Sequence, residues 1–309
     1  MNLSNAGISD NKINGIFKKF QNKDKQIAID LNLSDNVLTD NGVLQLVSGI
    51  KTLFPNLTQL SISLSNNQIG DKGLANIFQM IKQVPNLSQV SLFLSGNNFS
   101  KNGFKCIEDM KNVNSLQKLH LGFNNFQQSI ELIKSLIKFI ESNRDLADFG
   151  LYIDHSEVGN QGTSYICKLL QSFNQLSSLT LHVDQNCLTN NGILNIVRSI
   201  VQNKQIRHLN LNLCNQAVNN NNYTQNFYLD SYYNVISQEC VLDIINIIGA
   251  HLKLDELALY IKHYNKITYT NFQKEGYDAL LNNINNNLIE LQKSINQNLK
   301  QIKQLKVIA

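Results

Sequence analysis

Histidine and aspartate stand close together twice in this chain, as Asp154-His155 and as His182 with Asp184. These residue types can hold a metal or move a proton, so their placement decides what chemistry is open to the chain. The residues before them alternate, as in Phe149-Gly150-Leu151-Tyr152-Ile153 and Leu179-Thr180-Leu181-His182-Val183. Period-two alternation marks a strand with one buried face. Consecutive strand residues point to opposite sides, so Asp154 and His155 diverge and no metal site is expected. GxSxG, HExxH, GxGxxG and the phosphate-binding loop are all absent. The chain therefore reads as a non-enzyme, with no catalytic residues and no cofactor.

The elements that carry these strands recur. The phrase LTQLSISLSNNQIGDKGLANIFQMIKQVPN starting at 57 returns as LSQVSLFLSGNNFSKNGFKCIEDMKNVNS at 87 and LSSLTLHVDQNCLTNNGILNIVRSIVQNKQ at 176. A fixed period of about thirty residues signals stacked repeats. Each unit begins with an alternating triplet such as Leu60/Ile62/Leu64 and passes through an Asn- and Gly-rich turn. Helical spacing follows at Leu74, Ile77, Phe78 and Ile81, and Pro85 stops the helix. Triplets centred on Leu31, Ile62, Leu92, Leu121, Leu151, Leu181, Leu211 and Leu259 predict about eight parallel strands. Residues 1–26, with Ile13, Ile16, Phe17 and Phe20 at helical spacing, read as an N-terminal capping half-repeat. Residues 27–280 read as the array.

The pattern LxxLxLxLxxN, followed by (I/L)xxxG and an amphipathic helix, resembles the ribonuclease-inhibitor-like class of leucine-rich repeats. The resemblance spans roughly residues 8 to 285. It implies an α/β horseshoe solenoid with a parallel concave sheet and convex helices. It also implies an asparagine ladder that hydrogen-bonds the turn backbone, at Asn36, Asn67, Asn97 and Asn186. The pattern departs at Phe126, Ser156, Gln216 and Tyr264. The fourth repeat is a residue short and lacks the glycine found at Gly42, Gly73, Gly103, Gly162 and Gly192, so irregularity is expected there.

Charge and cysteine usage narrow the partners. The net charge is +4, with lysines scattered rather than clustered on one face, so nucleic-acid binding is not expected. Five cysteines without a CxxC spacing suggest neither a disulfide framework nor a zinc site. That fits a reducing compartment. The first residues lack the basic and apolar regions of a signal peptide, and no stretch of eighteen apolar residues occurs. No membrane association is expected.

Three surfaces are candidates for binding a protein. Matching strand positions stack into columns on the concave face, and one column runs Asn32, Ser63, Phe93, Gly122, Tyr152, His182, Asn212, Tyr260. Phe93, Tyr152, His182 and Tyr260, with His120 in the column beside them, are candidate anchors. The second candidate is an insertion at residues 217–234, where strand triplets lie 48 residues apart. It carries Tyr223, Phe227, Tyr228, Tyr232 and Tyr233. The third is a predicted long amphipathic helix over 281–309, where Leu288, Leu291, Ile295, Ile302 and Leu305 occupy heptad seam positions.

These features predict a protein-interaction scaffold, a structural or adaptor subunit bound to one or more proteins within a multi-subunit complex. The alternative is a regulator of an enzyme, such as an inhibitor or small-GTPase activator. The Asn-, Lys-, Gln- and Ile-heavy composition resembles that of AT-rich protist genomes. Similar repeat proteins there include structural subunits of cilia. The expected location is the cytoplasm, with cytoskeleton or cilium as the finer expectation.

Overall fold

Leucine and isoleucine at every second position, between small polar residues, build strands that bury one edge of side chains and leave the other to water. The computed structural model describes residues 1–20, 25, 27–110, 116–127, 129–143, 145–213, 238–251, 256–260 and 304–308. Among the described residues nine five-residue strands follow in order: β1 (Ala28–Asn32), β2 (Gln59–Ser63), β3 (Gln89–Phe93), β4 (Lys118–Gly122), β5 (Asp148–Tyr152), β6 (Ser178–His182), β7 (His208–Asn212), β8 (Glu256–Tyr260) and β9 (Gln304–Ile308). They form one parallel sheet in sequence order. α1 (Ile13–Phe17) precedes β1, and between consecutive strands from β1 to β8 helices return the chain: α2 (Asp40–Leu53), α3 (Asp71–Gln83), α4 (Lys105–Glu108), α5 (Ser129–Ser142), α6 (Gly159–Gln171), α7 (Asn190–Ile200) and α8 (Gln238–His251). This is an α/β solenoid of the leucine-rich-repeat type, as the periodicity predicts. Among the described residues no helix is long and apolar enough to cross a membrane.

The register repeats without a slip. Leu31 pairs with Ile62, Ile62 with Leu92, Leu92 with Leu121, Leu121 with Leu151, and Leu151 with Leu181. All six are buried to within one percent. Each such side chain contributes about 1.5–3 kcal/mol. A one-residue slip would turn the whole row to solvent, which is why the register holds.

One expectation is corrected at the C-terminal end. Leu305 was expected in a helical seam, but it lies in β9 and pairs with Leu257, while Val307 pairs with Leu259. Gln304-Leu305-Lys306-Val307-Ile308 includes two β-branched residues, and the open edge of β8 supplies backbone partners. Strand pairing therefore outcompetes the seven-residue period here. The rest of the expected helix, with Leu288, Leu291, Ile295 and Ile302, lies outside the described residues. So does the insertion 217–234.

The turns after β1 to β6 each place a left-handed residue at the same point, Asp35, Asn66, Gly96, Asn125, His155 and Gln185, and those after β5 and β6 add Glu157, Gly159 and Cys187. The residue after it points back under the turn. Asn67 donates from Nδ2 to the Leu64 and Leu33 carbonyls, at 2.9 and 3.0 Å, and its Oδ1 accepts from the Leu38 N–H at 2.9 Å. Asn36, Asn97 and Asn186 make the equivalent bonds. Each satisfies buried backbone groups that would otherwise be costly. Where Ser156 replaces asparagine, its shorter side chain reaches the Phe123 carbonyl only at 3.4 Å. Where Phe126 replaces it, the ring packs on Phe104, at 5.1 Å, and on Phe123.

A second ladder joins the helix starts. Asp40 Oδ1 accepts the Gly70 and Gly73 N–H groups at 2.7 and 2.8 Å, and Asp71 holds the Ser100 N–H at 2.7 Å. Asp10 does the same for Thr39 at 3.0 Å. A carboxylate at a helix start is favoured by the helix dipole. In the first three repeats the glycine makes room for this approach. A Cβ on Gly73 would sit 2.7 Å from Asp40 Oδ1, and Gly42 and Gly103 face Asp10 and Asp71 in the same way. The irregularity expected in the fourth repeat does not reach its helix, since α5 runs to fourteen residues; the shortened helix is α4, a single turn of four residues in the third repeat.

Candidate functional site

The concave site begins with glycines. A Cβ on Gly122 would come within 2.7 Å of Phe93 Cδ1, and one on Gly150 within 2.7 Å of His120 Cγ. Their absence lets two rings lie down over the neighbouring strand. Phe93 then reaches across Gly122 to Tyr152, with ring centroids 5.6 Å apart. Tyr152 meets His182 edge-on at 4.7 Å and His120 at 6.2 Å. The sheet register sets this contact, because Gly122 pairs with Tyr152 and Tyr152 with His182. The four rings form a continuous half-buried strip across β3 to β6. Tyr260 lies in the same column but two strands beyond His182, about 10 Å along the sheet.

Charges flank the strip on both sides. Asp148 takes His120 Nε2 at 2.8 Å and Lys118 Nζ at 2.9 Å. Burial raises its pKa, but these two partners outweigh burial and hold the carboxyl down at about 2. On the other side lies a polar relay between turns. Ser95 Oγ accepts the Asn124 N–H, Asn124 Oδ1 accepts the Asp154 N–H, and Asp154 Oδ1 accepts the Asp184 N–H, at 2.8, 2.9 and 2.8 Å. Asp154 is pushed up to about 7, first by burial and then by the charge of Asp184, against the help of the Asp184 N–H. Burial lowers the His182 pKa, with the nearby Asn210 side chain acting the other way, so the surroundings favour the neutral ring. Burial raises the Tyr152 pKa, opposed by Thr180, with the charges of Asp148 and Asp154 adding to the rise.

Of the residues expected to form a concave site, Phe93, His120, Tyr152 and His182 come together, and Tyr260 stands apart. His155 is a left-handed turn residue, exposed to solvent, and is not part of the ring strip. Three features were missed: Lys118 with Asp148, the two glycines beneath the rings, and the Asp154 relay. The column positions of Lys118 and Asp148 were readable, being opposite-charge partners one strand apart. Elsewhere, the short α4 leaves a cavity of about 270 Å³ against α3, lined by Gln79, Lys82, Cys106 and Met110 among others. Burial and then Asp109 push the Cys106 thiol up to about 12, so it is no nucleophile there.

No protein-family model matches this chain, and no curated protein does. Among solved structures, it is similar to a chain in the crystal structure of the Rad7 and Elc1 complex in yeast, at 19% identity and a TM-score of 0.50. The likeness covers 84% of this chain and 56% of that one, so this chain spans little more than half its length. At that identity the likeness concerns the fold.

Proposed function

We propose that this protein is a non-enzymatic protein-interaction scaffold that docks another protein on its concave sheet. The observation that carries this reading is the ring strip Phe93–Tyr152–His182, held in contact and half-exposed on the concave face. Aromatic side chains with little rotamer entropy to lose are the usual anchors of protein interfaces. The structural neighbour was solved as a complex of two proteins, Rad7 and Elc1, which supports a protein partner here. The asparagine ladder supports membership of the ribonuclease-inhibitor-like class. Five cysteines, an odd count without a CxxC spacing, support a reducing compartment, hence the cytoplasm. A place in a cytoskeletal or ciliary assembly is the finer form of this proposal and rests on composition alone.

The test is native purification of the tagged chain, with its stoichiometric partner identified by mass spectrometry. Tyr152→Ala should weaken that complex by about 1–3 kcal/mol with a small change in melting temperature. Unchanged affinity in the Phe93→Ala/Tyr152→Ala variant would move the interface off the concave face. Binding that is transient and nucleotide-dependent would favour an enzyme regulator over a scaffold.

A further inference from the structure

The charges around the ring strip are unequally satisfied. Asp148 has two cationic partners, Lys118 and His120. Asp154 has none among the described residues. Its hydrogen-bond partner is the Asp184 N–H, and the Asp184 carboxylate brings like charge beside it. Asp154 follows Tyr152 by two residues, so both project to the same side of the chain, and its charge bears on the phenol. Burial favours the neutral form of the neighbouring His182, which offsets nothing. The concave face therefore offers an aromatic platform with an uncompensated carboxylate at its edge.

We propose that the partner enters this face with a cationic side chain, an arginine or lysine laid over Tyr152 with its head group on Asp154. This rests on the docking reading above and names the chemistry of the partner. A guanidinium or ammonium over a tyrosine ring is attracted by the ring face, and a carboxylate beside it supplies a charge-assisted hydrogen bond. An arginine satisfies both at once, since its planar head stacks and forks. An incoming cation would also relieve the repulsion between Asp154 and Asp184. An anionic partner would meet the Asp154 carboxylate and gains nothing.

The groups facing Asp154 set the pH dependence. Tyr152 and His155 lie on its own strand and turn, His182 and Asp184 come from β6 and its turn, and the uncharged Asn124 comes from the turn after β4. Protonation of Asp154, centred at about 7, removes the charge the cation needs. Binding should then weaken as pH falls from 8 to 6.

The experiment titrates the full chain with acetylated hexa-arginine, hexa-lysine and hexa-glutamate peptides, followed by NMR of the amides around Phe93, Tyr152 and Asp154. The cationic peptides should move these signals and hexa-glutamate should not. Asp154→Asn keeps the acceptor for the Asp184 N–H and should weaken the cationic peptides at least about tenfold. Asp145→Asn, on an exposed loop, should not. Equal binding by wild type and Asp154→Asn, or equal shifts with hexa-glutamate, overturns the proposal. The co-purified partner separates the two levels. If it is lost on Phe93→Ala/Tyr152→Ala but kept on Asp154→Asn, concave docking stands and the cationic anchor falls. If both variants keep it, docking at this face falls as well.

Discussion

The first three turns and the next two solve one problem by different means. After β1, β2 and β3, the buried ends of the turn are filled by Asn36, Asn67 and Asn97, each bonded to backbone on its own repeat and on a neighbour. After β4 the position holds Phe126, which packs in a ring cluster, and after β5 it holds Ser156, which bonds at longer range. The strand register is unchanged through both stretches. The leucine rows therefore determine the coil, while the turn side chains are a local means of satisfying it. The concave face divides at nearly the same place. The strands before β3 show Asp30, Asn32 and serines but no ring, while β3 to β6 and their turns carry the rings with Asp148 and Asp154 beside them.

The largest test asks whether the two stretches share one core. Leu121→Asp buries a charge without a partner and should cost about 4 kcal/mol or more. The thermal unfolding followed by circular dichroism should then collapse the asparagine-laddered repeats together with the middle ones. A melting curve like that of wild type would mean the row through Leu121 is not the shared core.

The next compares the turns directly. Asn67→Leu leaves the buried Leu38 N–H without its acceptor and takes one of two donors from each of the Leu33 and Leu64 carbonyls, and should cost about 3 kcal/mol. Ser156→Ala gives up weaker bonds and should cost about 1 kcal/mol. Urea denaturation measures both. Equal costs would erase the distinction between laddered and substituted turns.

A smaller effect separates glycines that hold the helix-start ladder from glycines that do not. Gly73→Ala forces a methyl against Asp40 and Ile69 and should cost about 1–3 kcal/mol. Gly15 in α1 meets nothing within 4 Å, so Gly15→Ala should leave the protein as stable or about 0.5–1 kcal/mol more stable. The same sign of change at both sites would remove the need for glycine beneath the aspartate.

The last concerns Asp154. Its folded pKa of about 7 lies above the usual 3.8, so folding favours the protonated form. Its contribution to stability is complete below the lower value and is lost as pH rises through the higher one. Asp154→Asn should therefore melt higher than wild type at pH 8 and equally at pH 4. Parallel curves at the two pH values would show that the carboxyl is not held up by its surroundings.

The amino-acid sequence by itself determined the coil. Apolar residues at period two, helical spacing and turn residues every thirty positions leave a parallel sheet backed by helices as the way to bury every stripe. It also placed Phe93, Tyr152 and His182 in one column, because register follows from the buried rows. The tertiary structure alone decided how those columns behave. Whether Phe93 touches Tyr152 depends on the missing Cβ of Gly122 on the strand between them. Whether a carboxylate is paired depends on neighbours about thirty residues away, so Asp148 and Asp154 look alike in the chain and differ in the fold. The end of the chain shows the same limit. Leu305 fits a heptad and a strand equally well by pattern, and the open edge of β8 decided between them.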